Sequence, residues 1–209
     1  MANLPSLETQ AKVASDAAEE FVNDYYESLN KRQALAPYYA STSPHLASAS
    51  AKPDISINGR VVESVAAYEA LLDAQGANVF YTIVSFDAHP VNPNYILGCP
   101  ENLSPSTDGR GKAAKSIKDG DRLSFAIQVS GNIRYGRPDN TPAPAPAPAT
   151  TTAATANGVV APAVADEAAP IETAFNESWL LVPHWEALGR NAARGLRKWV
   201  VVSQNFRAF

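Results

Sequence analysis

Leu123-Ser124-Phe125-Ala126-Ile127-Gln128-Val129-Ser130-Gly131-Asn132-Ile133-Arg134-Tyr135 is the stretch whose alternation decides the fold. Leu123, Phe125, Ile127, Val129, Ile133 and Tyr135 share one parity; Ser124, Ala126, Gln128, Ser130 and Asn132 share the other. A period of two marks a strand with one face in a core. A second face left to water carries Lys, Glu or Thr, whereas this one is small, uncharged and flat. Val79 to Ala88, Ala174 to Val182 and Lys198 to Arg207 read as strands of the same kind. In them Asn176 and Ser178 alternate with Phe175, Glu177 and Trp179, and Ser203, Asn205 and Arg207 alternate with Gln204 and Phe206. A sheet face of this composition suits the sheet of another protein; the alternative is an ordinary solvated face. The guanidinium of Arg207, at the end of the stripe, suits a partner carboxylate.

Upstream the pattern is helical. Val13, Ala17, Phe21, Tyr25 and Leu29 fall four apart, flanked by Ala14, Ala18 and Val22, and form one apolar stripe of a long helix. A short helix is expected from Ala34 to Ala40. Ile55 to Val62 reads as a hairpin, because Asn58-Gly59 accepts the positive φ angles of a tight turn. A third helix runs from Val65, with Ser64 as N-cap and Gly76 as stop. Helices followed by adjacent strands predict an α+β domain, a curved antiparallel sheet wrapped around N-terminal helices.

Two inserts interrupt a single domain spanning 1–209. Residues 92–120 form a loop in which Arg110, Lys112, Lys115 and Lys118 carry positive charge with no acid among them, a patch for weak contact with RNA phosphates or else a solvated loop. Residues 138–172, which contain the run Thr141-Pro142-Ala143-Pro144-Ala145-Pro146, lack the large apolar side chains needed to offset ordering, and a mobile spacer is expected there. Arg190, Arg194, Arg197 and Lys198 form a second basic cluster opposed in sequence only by Glu186.

With 17 Lys and Arg against 21 Asp and Glu, the net charge of -4 argues against a protein that coats nucleic acid or membrane by bulk charge. One cysteine, Cys99, allows no internal disulfide and no thiolate zinc cage, and fits a reducing compartment. The three histidines, His45, His89 and His184, are too scattered to suggest a metal site. No apolar run approaches the ~20 residues of a membrane helix, and Met1-Ala2-Asn3-Leu4 lacks the form of a signal peptide. No catalytic residue, cofactor, metal or membrane contact is expected.

Phe21-Val22-x-x-Tyr25-Tyr26, Ile57-Asn58-Gly59, Phe86-Asp87-x-x-Pro90-Val91 and Trp199-x-x-x-Ser203-x-x-Phe206-Arg207 fall in the order and spacing of the nuclear transport factor 2-like family, which the chain resembles over 20–91 and 121–207. Within the family it is most similar to the small, long-looped fungal subunits of the mRNA export receptor heterodimer. The resemblance implies a cone-shaped fold without enzyme activity. It also implies sheet-to-sheet pairing with the large export-receptor subunit, passage through the nuclear pore on Phe-Gly nucleoporins, a nuclear and pore location with shuttling to the cytoplasm, and a part in large ribosomal subunit export. The implied interface comprises Gln128, Ser130, Asn176, Ser178, Ser203, Asn205 and Arg207, with Arg207 matching the arginine that pairs with a partner aspartate. The Ran-importing relative carries acidic residues where this chain has Arg134, Gly136 and Arg137, so that role is not expected. Two alternatives stay open: an isomerase or dehydratase of the same fold, for which Asp87 and His89 are the candidate acid-base pair, and a homodimeric transport adaptor.

Overall fold

Helix α1 (Leu7–Asn30) starts where Ser6 Oγ accepts the Thr9 N–H at 3.1 Å, answering one of the donors a helix start leaves unpaired. Its buried face, Ala14, Ala17, Ala18, Phe21, Val22, Tyr25, Tyr26 and Leu29, is the stripe seen in the sequence. The helix expected over 34–40 is instead two 3-10 turns, Ala36–Tyr38 and Ala40–Thr42. Tyr39 separates them, because its extended backbone bridges Val201. Helix α2 (Pro44–Ser48) follows. The hairpin of β1 (Asp54–Ile57) and β2 (Arg60–Val62) turns at Asn58 and Gly59, with φ of 52° and 80°. Helix α3 (Val65–Ala74) is capped by Ser64 and followed by Gly76 at φ 85°. Then come β3 (Val79–Asn92), α4 (Lys112–Lys118), β4 (Ser124–Tyr135), β5 (Ile171–Pro183) and β6 (Trp199–Ala208).

This computed structural model describes residues 4–103, 112–136, 171–189 and 192–209, with side chains from Lys115 onward in the second segment. The Pro/Ala-rich insert falls outside the described residues except at Ile171 and Glu172, which open β5. The six strands form one sheet in the order β2-β1-β6-β5-β4-β3. The expected α+β architecture stands, with one joint the alternation does not reveal: β1 lies parallel to β6, while every other neighbour is antiparallel. Strand β3 also continues through Pro90 to Asn92, beyond the end expected at Ala88. It is an outer strand, where a missing N–H breaks no ladder bond.

The inner face of the sheet packs on α1. Trp179 on β5 meets Phe21, Tyr25 and Tyr26 with ring centroids 5.3, 5.0 and 5.7 Å apart. Each such ring contributes roughly 1.5–3 kcal/mol by leaving water. Gly131 is obligatory at the middle of β4: a Cβ there would stand 2.3 Å from the Thr82 carbonyl and 2.6 Å from the Phe175 ring. A smaller core gathers Ala40, Leu46, Val182, Trp185 and Val200, and the first part of the 92–120 insert packs on it. Tyr95 stacks on Trp185 at 6.4 Å, and Trp185 Nε1 donates to the Leu97 carbonyl at 2.8 Å.

Candidate docking face

The outer face of the sheet is built by register. Ladder pairing aligns Arg207, Asn176, Ser130 and Ser85 in one row, Asn205, Ser178, Gln128 and Asp87 in the next, and Ser203, Leu180, Ala126 and His89 in the third. All seven residues singled out on β4, β5 and β6 therefore share one face. Gln128, Asn176, Ser178, Asn205 and Arg207 are exposed, and Ser130 and Ser203 half-buried. Ser130 Oγ donates to Asn176 Oδ1 at 2.7 Å, so part of the hydrogen-bonding capacity is met within the face. The rest points outward. Leu180 and Ala126 give the third row an apolar centre that alternation on single strands did not bring out.

Arg207 is held by the hairpin turn. The Asn58 N–H donates to the Phe206 carbonyl at 2.8 Å, and Asn58 Oδ1 accepts the Ala208 N–H at 2.8 Å, clamping the backbone on both sides of the arginine. The guanidinium lies over Gly59, where a Cβ would stand 3.2 Å from Nη1. Arg207 Nε reaches Asn205 Oδ1 at 3.4 Å, and no ion pair among the described residues involves Arg207. Arg207 thus stands at the end of rows that are uncharged across β4 and β5, with no carboxylate partner among the described residues.

Beneath the face lies a polar layer. Glu177 and Gln204 point inward, 1% exposed each. Tyr26 Oη donates to Glu177 Oε2 at 2.5 Å and Gln204 Nε2 donates to Oε1 at 2.6 Å. Tyr39 Oη donates to Gln204 Oε1 at 2.5 Å and stands 3.1 Å from Tyr25 Oη. Burial pushes the Glu177 carboxyl up to about 7, against the pull of the Tyr26 and Gln204 hydrogen bonds. The layer ties α1 to β5 and β6, the strands that carry most of the outer polar rows.

No family model and no curated protein matches the chain. Among solved structures it is similar to a chain of a Sac3N peptide complex with Mex67:Mtr2, at 27% identity and a TM-score of 0.69, covering 94% of this chain and 99% of that one. It is also similar to a chain of the Chaetomium thermophilum Mex67 NTF2-like domain complexed with Mtr2, at 28% identity and a TM-score of 0.68, covering 94% and 98%. A structure of Mtr2 matches in fold at 24% identity and a TM-score of 0.67, covering 94% and 99%. The chain is an Mtr2-like protein of the NTF2-like fold.

Other candidate residues take different places in this Mtr2-like fold. Asp87 and His89 form a pair with Oδ2 and Nε2 3.2 Å apart, but on the outside of the sheet with side chains 74% and 66% exposed, not in a protected interior. His45 is exposed, and its N–H donates to Glu186 Oε1 at 3.0 Å. His184 is buried and donates through Nδ1 to the Arg197 carbonyl at 2.9 Å, fastening the β5–β6 connection. Cys99 is half-buried at the smaller core, where burial pushes its thiol up. Among the described residues no group of three or more His, Cys, Asp or Glu could hold a metal ion, and no helix is long and apolar enough to cross a membrane.

The basic residues are more engaged than their sequence spacing suggests. Arg110 lies outside the described residues, as does the side chain of Lys112. Lys115 pairs with Asp119 at 2.5 Å, and Lys118 is exposed on the same short helix. In the second cluster Arg197 pairs with Asp24 at 2.8 Å and lies 3.7 Å from the Tyr38 ring centre, while Lys198 pairs with Asp121 at 2.7 Å. Their acids come from α1 and from the turn before β4, elements distant in sequence, so Glu186 is not their only opposing charge.

Proposed function

We propose that the chain is the small, non-enzymatic subunit of a heterodimeric mRNA export receptor, docking the outer face of β4, β5 and β6 on the NTF2-like domain of a Mex67-type large subunit. The observation that carries this reading is the set of polar, uncharged rows across the middle of β4, β5 and β6, with Arg207 seated at their end and in no ion pair among the described residues. Hydroxyls and amides buried without matching groups cost about 1–3 kcal/mol each, so such a face selects a partner whose polar groups answer it over an indifferent apolar surface. The similarity to chains in Mex67:Mtr2 complexes supports the same choice of partner.

In this reading the heterodimer works in the nucleus and at the pore, shuttles to the cytoplasm, carries messenger ribonucleoprotein on Phe-Gly nucleoporins and assists large ribosomal subunits. Lys115 and Lys118, with Arg110 and Lys112, supply weak contacts to RNA phosphates. Catalysis is disfavoured because the inner face of the sheet is filled by aromatic rings, and Glu177, the buried acid, is held inside that packing by hydrogen bonds from Tyr26 and Gln204. Co-expression with the large subunit's NTF2-like domain followed by sizing tests the proposal. A one-to-one complex supports it; a stable homodimer indifferent to that domain favours the adaptor reading instead.

A further inference from the structure

Among the described residues the sheet ends on β3, whose outer edge meets no other strand. A strand of 14 residues left open in this way is a template for pairing with another chain. Here its backbone is answered by side chains. At Tyr81 the Asn30 amide, in the last residue of α1, accepts the N–H through Oδ1 at 2.8 Å and donates through Nδ2 to the carbonyl at 2.9 Å. These are the two bonds a neighbouring strand would make. The Ala88 N–H donates to Asp87 Oδ1 at 2.8 Å. Pro90 has no N–H to offer. The ladder also shifts between Ile83 and Ser85 and again between Pro90 and Asn92, irregularities that bend an edge away from a flat partner. The opposite edge, β2, is only 3 residues long.

We propose that Asn30, Asp87 and Pro90 together close the edge of β3 to strand addition, so that another sheet meets this chain face to face and not edge to edge. Bond directions alternate along a strand, and the shift after Ile83 changes the parity. Val79, Tyr81, Ile83, Phe86, Ala88 and Pro90 are therefore the positions that turn away from β4. Side chains or the proline ring close Tyr81, Ala88 and Pro90, and the shift between Ile83 and Ser85 breaks the remaining open positions into runs too short for a stable ladder. This inference stands on the edge alone and is independent of which partner covers the face.

The test compares the full chain with the variant carrying Asn30→Ala, Asp87→Ala and Pro90→Val, by sedimentation velocity over a concentration series and by amide exchange across 79–92. In dilute solution the Tyr81 and Ala88 amides of the variant should exchange about tenfold faster than in the parent. At high concentration the variant alone should self-associate, and those amides should slow again. A variant that stays in the parent's association state, or associates without renewed protection of 79–92, overturns the proposal. Asn30 also ties α1 to the sheet, so Pro90→Val, which only restores an N–H, is measured as well. It should raise self-association by itself, and failure to do so when the triple variant is unfolded counts against the proposal.

Discussion

Replacing Glu177 by glutamine should remove a specific component of the pH dependence of stability. Folded, this carboxyl holds its proton to about pH 7, whereas in the unfolded chain it releases it near the ordinary 4.5. Between those values the folded state binds a proton that the unfolded state does not, so stability falls as pH rises. The contribution is fully present below about pH 4.5 and is gone once the pH has passed about 7. The difference of about 2.5 pH units at 1.36 kcal/mol per unit corresponds to about 3 kcal/mol, a large part of a typical total of about 5–15 kcal/mol. A glutamine side chain cannot ionise. The new amide also places a donor where Tyr26 or Gln204 now donates, which shifts stability by about 1 kcal/mol at every pH. The informative quantity is therefore the change in the parent-to-variant difference with pH. Urea unfolding followed by tryptophan fluorescence at pH 5, 6, 7 and 8 should show the variant gaining on the parent by about 2–3 kcal/mol across the series, with unchanged m values. Parallel stability curves for the two proteins would refute the reasoning, since Glu177 would then titrate alike folded and unfolded.

Gly59→Ala should weaken docking of the large subunit by about 3- to 10-fold, because the added methyl displaces the Arg207 guanidinium and strains a backbone at φ 80°. In an Arg207→Ala background the same change should leave affinity unaltered, and simple additivity in that double-mutant cycle would sever the turn from the arginine. Neutralising Arg110, Lys112, Lys115 and Lys118 together should lower RNA affinity and flatten its salt dependence in filter binding, an effect below the one expected for four free charges because Lys115 is already paired with Asp119. Identical affinity and slope would remove the loop from RNA contact.

Local periodicity carried much of this fold. The α1 stripe, the Asn58-Gly59 turn and the two faces of β4 were legible because each is a repeat or a turn chemistry expressed within a few residues. The parallel joint between β1 and β6 was not, since it connects segments from opposite ends of the chain and leaves no periodic trace in either. The extension of β3 from Ala88 through Pro90 was not legible, because tolerance of a proline there depends on β3 being outermost, which only the strand order reveals. The outer polar rows were visible strand by strand, but their alignment with Asp87 and His89 needed the register. Glu177 and Gln204 did give a signal: polar residues at core parity announce a buried network, although not the tyrosines from α1 and the following turn that complete it. The ion pairs of Arg197 with Asp24 and Lys198 with Asp121 were hidden for the same reason, as each acid is remote in sequence.

In the proposed heterodimer the outer face of β4, β5 and β6, anchored by Arg207, binds the NTF2-like domain of a different subunit. Calorimetric titration of the parent and of Arg207→Glu with that purified domain tests it most directly. The parent should form a one-to-one complex and the variant should lose at least about 30-fold in affinity, the equivalent of about 2 kcal/mol for a buried charge pair turned repulsive. Absence of binding by the folded parent, or equal affinity for the two proteins, would contradict it.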